Sequence, residues 1–180
     1  MATITVDITG STELLKKFDT LSTKVKTNIK DEVNASALKI QSDAKKLAPV
    51  NLGTLRNTIY LVEENKGSNQ FVYGVGASAS YAPYVEFGTG GKVSIPNGYQ
   101  DYATQFKGKQ GGKFKDMVLA LTEWVLKKGI ASGKQSRSVA YAIALSILRK
   151  GMRAQPFLIP AFEAEKPKLI QRIEKILKNA

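Results

Sequence analysis

The spacing of apolar residues changes several times along the chain, and each change marks an element. Ile4, Val6 and Ile8 alternate with Thr3, Thr5 and Asp7, which predicts a half-buried strand over Thr3–Ile8. Gly10-Ser11 interrupts it, and Ser11 is placed to cap a helix. From Ser11 to Leu47 the period is helical. Leu14, Phe18, Leu21, Val25, Ile29, Val33, Ala37, Ile40, Ala44 and Leu47 make one narrow stripe. Unbroken, that helix would be roughly 55 Å long, with Asn34-Ala35 as the candidate break. The stripe drifts from a strict heptad, so it predicts a core-facing surface rather than a coiled coil. Pro49 ends it.

After a turn at Gly53, the residues Leu55, Thr58, Tyr60 and Val62 predict a strand near 55–64. The cluster Asn65–Asn69 is a turn, and Gln70–Ala77 is the returning strand of a hairpin. Residues 88–112 are predicted as one long Gly-rich loop with a short strand at Lys92–Ile95. The helical period returns in Phe114, Met117, Val118, Leu121, Trp124 and Val125, for a helix near 113–128 ended by Gly129. Ser136 or Ser138 opens the next helix, which carries Val139, Ala140, Ile143, Ala144, Ile147 and Leu148 to a C-cap at Gly151. Gln155–Phe162 is extended up to Pro160. Pro160 opens a last helix with Phe162, Leu169, Ile170, Ile173, Ile176 and Leu177 on one side. The sum is a single α+β domain over 1–180, a small mainly antiparallel sheet packed against a long N-terminal helix and C-terminal helices.

Composition narrows the chemistry. The 180 residues contain no cysteine and no histidine. That removes zinc sites built on those residues and the serine and cysteine triads. An enzyme would have to work with Asp, Glu, Lys or Tyr alone, so the expectation is a protein without catalysis, metal or cofactor. No apolar run approaches the ~20 residues of a membrane span. The start, "MATITVDITG", lacks the basic and apolar regions of a signal peptide.

The net charge of +12 is uneven. Residues 1–60 contribute +3, 61–120 contribute +1 and 121–180 contribute +8. No acidic residue occurs between Glu123 and Glu163, where Lys127, Lys128, Lys134, Arg137, Arg149, Lys150 and Arg153 fall. A patch of this kind implies a polyanionic neighbour, nucleic acid or an acidic protein surface, or else a solvated face that keeps the protein soluble.

Specific motifs fail one by one. Gly91-Lys92 and Gly112-Lys113 lack both the spacing and the following Ser or Thr of a phosphate loop. "GVGASA" at Gly74–Ala79 meets Pro83 where a dinucleotide-binding unit needs its helix. Glu63-Glu64 lie at a strand end beside a turn, and Glu86 has no evident acidic partner for glycosidase-type chemistry. A partly buried Glu86 instead calls for a basic partner, Arg56 or a basic residue of a neighbouring subunit. No zinc finger and no aromatic RNA-binding strand is present. The middle of the helix near 136–151, "VAYAIALSI", is too apolar for a nucleic-acid groove, so that helix is expected to pack on the sheet.

Three stretches in order carry a resemblance: "APVNLGTLRNTI" (Ala48–Ile59), "YAPYVEFGTG" (Tyr81–Gly90) and "AQPFLIPAF" (Ala154–Phe162). Together with "EWVLKKGI … AYAIALSILRKG", over most of residues 11–178, they resemble the HK97 gp10-like family of tailed-phage proteins. One departure is Asn51-Leu52, where the pattern often carries an acidic residue or Thr. The resemblance implies a non-enzymatic assembly protein of the virion neck, a head–tail connector or tail-completion protein acting in a homo-oligomeric ring and assembled in the bacterial cytoplasm. The implied partners are the connector, stopper, tail terminator or tail tube, with non-specific contact to packaged DNA and neither membrane nor small-molecule substrate. Under it, Tyr81–Gly91 is a corner: a strand exit, a turn held by Pro83, anchors at Tyr84 and Phe87, and glycines that launch a loop. Glu86 then serves a structural or inter-subunit ion pair. Pro156 and Pro160 confine an extended edge segment anchored by Phe157 and Phe162. The competing reading is a stand-alone basic nucleic-acid-binding protein.

Overall fold

A computed structural model describes residues 4–7, 23–50, 53–65, 71–105 and 113–179, with backbone alone at 4–7 and 64–65. The strands are β1 (Ile4–Asp7), β2 (Ile59–Asn65) and β3 (Phe71–Ala77). The helices are α1 (Thr23–Leu47), α2 (Thr54–Asn57), α3 (Ala82–Phe87), α4 (Gln100–Thr104), α5 (Phe114–Lys127), α6 (Gly133–Lys150) and α7 (Leu158–Lys178), with a 3-10 turn at Gly90–Lys92. The fold is α+β. The chain divides into two compact units, one of the strands with α1, α2 and α7, the other chiefly Ala79–Pro156.

In the sheet unit the three strands run antiparallel in the order β1-β3-β2. β3 is the centre, and Val72, Tyr73, Val75 and Ala77 are all buried, so both of its faces are covered. Ile59 pairs with Ala77 and Leu61 with Val75, which places the alternating apolar set of β2 on one face. α1 packs against that sheet and against α7. Its buried positions, Ile29, Val33, Ser36, Ala37, Ile40 and Ala44, recur at helical spacing.

α1 is continuous through Asn34-Ala35, so the candidate break is absent. Leu47 ends half-exposed, and Ala48 takes the buried place beyond it. Leu14, Phe18 and Leu21 lie outside the described residues, as do Asn51-Leu52 and the turn at 66–70.

Among the described residues, two polar clusters join different elements of this unit. The Lys30 ammonium lies 2.9 Å from Glu63 on β2 and 5.9 Å from the Phe71 ring centroid. The Tyr73 hydroxyl donates to the same carboxylate at 3.3 Å. The hydrogen bond from Lys30 holds the Glu63 carboxyl below its ordinary pKa. The second cluster joins α1 to α7. Arg172 donates through Nη2 to Glu165 at 2.5 Å and to the Ser36 hydroxyl at 2.6 Å, and through Nε to Glu32. Ser36 passes its own proton toward Glu165 at 3.3 Å. Glu165 is buried, and one guanidinium answers its charge. That hydrogen bond to Glu165, followed by the one to Glu32, raises the Arg172 pKa above its already high value.

Several boundaries differ from the sequence expectation. The strand expected from 55 begins at Ile59, because Thr54–Asn57 first makes one helical turn that buries Leu55. The Thr58 hydroxyl closes that turn on the Leu55 carbonyl at 2.8 Å. α7 opens at Leu158, two residues before Pro160, because a first-turn proline has no intrahelical amide bond to lose. Pro167 lies inside α7, where it withholds an amide from the carbonyl four residues earlier.

In the helical unit, α5 and α6 pack on one another, with Val118, Val125, Ala140 and Ala144 buried. The expectation that this second helix packs on the sheet gives way to α5 as its partner. α6 starts at Gly133 after Ser132, earlier than Ser136 or Ser138. Ser136 is buried and its hydroxyl donates to the Gly133 carbonyl at 2.7 Å. Within 88–105 the chain forms a 3-10 turn and α4, and no strand forms at Lys92–Ile95.

Candidate functional site

The stretch Tyr81–Gly91 is a helix and a clasp rather than a strand exit. Ala82–Phe87 forms α3 with Pro83 near its start, where no amide bond is forfeited. Ala82, Pro83, Glu86 and Phe87 are its buried residues, and Phe87 meets Tyr102 edge to face with ring centroids 6.3 Å apart. Gly88 ends the helix at φ +77°, its amide bonded to the Tyr84 carbonyl at 2.9 Å. Burial raises the Tyr81 pKa above its ordinary value.

A second segment, 151–155, closes on this corner through the backbone. The Gln155 amide donates to the Val85 carbonyl at 2.8 Å, and the Thr89 amide to the Met152 carbonyl at 2.8 Å. The Met152 amide in turn donates to Thr89 Oγ1 at 2.7 Å. Ser94 adds a fourth bond, from its amide to the Phe87 carbonyl at 2.8 Å.

The closeness of these chains explains two glycines. A Cβ on Gly151 would stand 2.0 Å from the Thr89 carbonyl oxygen, and Gly151 has φ +74°. A Cβ on Gly88 would come within 2.6 Å of the Lys92 oxygen and 2.8 Å of both the Ala154 nitrogen and the Met152 oxygen. Only glycine fits both the space and the backbone angle. Thus "YAPYVEFGTG" meets the start of "AQPFLIPAF" through the main-chain bond from Gln155 to Val85, and meets Met152 just ahead of that motif through Thr89.

The expected site residues fall into two groups. Glu86 is 1% exposed, Phe87 is buried and Phe157 is 0% exposed, so these three are core. Tyr84 and Pro160 are half-buried, while Arg56 and Pro156 are exposed. Arg56 donates its Nε proton to the Lys45 carbonyl at 2.9 Å. The segment ahead of α7 holds to α3 through Gln155 and is not a sheet-edge strand. Among the described residues, no group of three or more His, Cys, Asp or Glu could hold a metal ion.

The basic residues are all at the surface. Lys127 ends α5 and Lys128 follows it, Arg137 lies in the second turn of α6, Arg149 and Lys150 end α6, and Arg153 lies in the clasp segment; all six are exposed. Lys127, Arg149 and Lys150 also complement the negative ends of their helices.

Sequence reading missed the Ser36–Glu165–Arg172–Glu32 cluster. The available signal was Glu165 itself, an acid between Phe162 and Leu169 on the apolar side of α7.

Comparison with known proteins gives one result. Residues 12–88 match the HK97-gp10_like family model, described as "Bacteriophage HK97-gp10, putative tail-component". The match runs from before α1 to Gly88, the first glycine of the clasp. No curated protein and no solved structure matches the chain. The match takes in "APVNLGTLRNTI" and most of "YAPYVEFGTG" and stops before "AQPFLIPAF"; over residues 12–88 the chain is similar to the HK97-gp10-like family of putative phage tail components.

Proposed function

We propose that the protein is a structural virion component of a tailed bacteriophage that joins head and tail at the neck, as a head–tail connector or tail-completion subunit. The observation that carries this is the family match over 12–88 to a phage tail component. Its work is assembly, not catalysis. The clasp supports that view: the most distinctive stretch of the sequence is used to bind main chain to main chain. Glu86, Phe87 and Phe157 serve the core, and Arg56, Tyr84, Pro156 and Pro160 are the candidate contacts of a homo-oligomeric ring.

Its partners are the neighbouring neck and tail proteins: connector, stopper, tail terminator or tail tube. The finished protein resides in the virion neck after assembly in the bacterial cytoplasm. Among the described residues no helix is long and apolar enough to cross a membrane. The exposed cations at 127–153 favour a second reading, a basic protein that binds nucleic acid without a virion role.

Electron microscopy of particles made by the parent phage with this gene deleted separates the two. Filled heads beside finished, unattached tails are expected. Normal joined virions would overturn the neck assignment.

A further inference from the structure

The basic face of α6 is not uniformly basic. Lys134, Arg137, Tyr141, Leu145, Leu148 and Arg149 recur at spacings of three, four, four, three and one, on one side of the helix. Tyr141 is 50% exposed and Leu148 is 63% exposed, while Leu145 between them is half-buried. The stripe is about 22 Å long at 1.5 Å per residue. Tyr141, Leu145 and Leu148 fall between Lys134 and Arg137 at one end and Arg149 at the other, with Leu148 directly beside Arg149. Phe114 of α5 props Tyr141 edge to face, with ring centroids 5.5 Å apart and planes at 83°.

We infer that this face is a docking site for an acidic amphipathic helix of another protein in the assembly, an inference that rests on the tail-component reading above. Duplex DNA suits the stripe poorly. Its phosphates would satisfy the cations and leave Tyr141, Leu145 and Leu148 without apolar cover. A protein helix covers both kinds of residue: its apolar side meets the centre and its carboxylates meet the rim. Tyr and Arg are also the residues that most often dominate such contacts. A second copy of the same face is disfavoured, because α6 carries no acid and like charges would oppose one another. An acidic helix brings the opposite sign to a chain of net charge +12 and speeds encounter at low salt.

The test is p-benzoylphenylalanine placed at position 141 and irradiated in phage-infected cells. Mass spectrometry then identifies what is attached. The expected adduct joins α6 to a Glu- or Asp-rich helical segment of another virion protein. Arg137→Glu is expected to reduce that adduct about tenfold, and reversing the crosslinked acid to Lys should restore it. Adducts to DNA, to another copy of this chain, or no adduct at all would each overturn the inference. Thermal melting of purified Arg137→Glu should match the parent, which excludes unfolding as the cause of a lost adduct. The gene-deletion phenotype separates the outcomes. Normal virions sink the neck assignment, whereas unattached tails with DNA adducts sink only the docking helix.

Discussion

The two units of the chain spend their apolar residues differently. In the sheet unit, large side chains go inward: Ile40 of α1, Val72 and Val75 of β3 and Leu158 of α7 are among the most deeply buried residues. In the helical unit, the buried positions of α6 are Ser136, Ala140 and Ala144, all small, while Tyr141 and Leu148 lie outside. Small residues let α5 and α6 approach closely and leave the larger side chains for the surface. The sheet unit thus fills its core with large side chains from several elements, whereas α6 turns small residues inward against α5, whose Val118 and Val125 are buried, and leaves Tyr141 and Leu148 outside.

The sharpest way to break that contrast is to truncate one residue of each kind. Ile40→Ala removes a fully buried side chain and should cost about 3–4 kcal/mol, through lost burial and an unfilled cavity. Leu148→Ala should stay within about 0.5 kcal/mol of the parent. Urea unfolding measures both. Equal losses would mean that the exposed face of α6 is part of a core.

The clasp should be nearly as sensitive as the sheet core, for a different reason. Gly151→Ala forces a Cβ against the Thr89 carbonyl at a backbone angle that L residues avoid. A loss of about 3 kcal/mol is expected. Gly98→Ala is the control: its φ is +86°, but nothing lies within 4 Å of the added Cβ. It should cost only about 1 kcal/mol of backbone strain. If the two variants melt together, the Gly151–Thr89 approach is not what holds the corner.

What the sequence made legible follows from the range of each interaction. The stripe from Ile29 to Ala44 and the β2–β3 pairing are local patterns; the stripe appears where it was expected, and the first strand of the pair begins four residues later than expected. The corner at 81–91 was marked by its residue types, but its form was not. Whether Pro83 interrupts a turn or sits harmlessly near a helix start depends on where the helix begins. The closure on 151–155 depends on main-chain bonds between distant segments, which no side-chain pattern announces. Gly151 was legible as a helix terminator but not as a packing requirement, because the obstructing atom belongs to Thr89. The Arg172 cluster was hidden because its members lie on two helices more than a hundred residues apart.

That cluster tests the one buried charge among the described residues of the sheet unit. Arg172→Ala leaves Glu165 and Ser36 buried without their guanidinium. The arginine itself is partly exposed, so solvent offsets some of the penalty. A loss of about 2 kcal/mol is expected. The double variant Arg172→Leu with Glu165→Leu should recover much of it, since an apolar pair needs no compensation. A double variant as unstable as the single one would mean that the cluster fixes the α1–α7 geometry rather than merely neutralising a charge.

The smallest effect belongs to the surface of the same helix. On α1, Asp43 accepts from Lys39 at 3.2 Å and from Lys46 at 3.1 Å, and those bonds, Lys39 first, hold its carboxyl below the ordinary pKa. A carboxyl depressed in the folded state stabilises above its unfolded pKa, about 3.9, and loses that contribution as the pH falls through the folded value. Asp43→Asn should therefore cost a few tenths of a kcal/mol near neutrality, as exposed pairs on helices do. The gap between variant and parent should close as the solution is acidified below about pH 4. Unfolding of both proteins across that range reads it directly. A gap that persists unchanged in acid would show that Asp43 acts through helix propensity or packing. The contrast between a partly exposed triad and the buried Glu165 cluster would then rest on something other than charge.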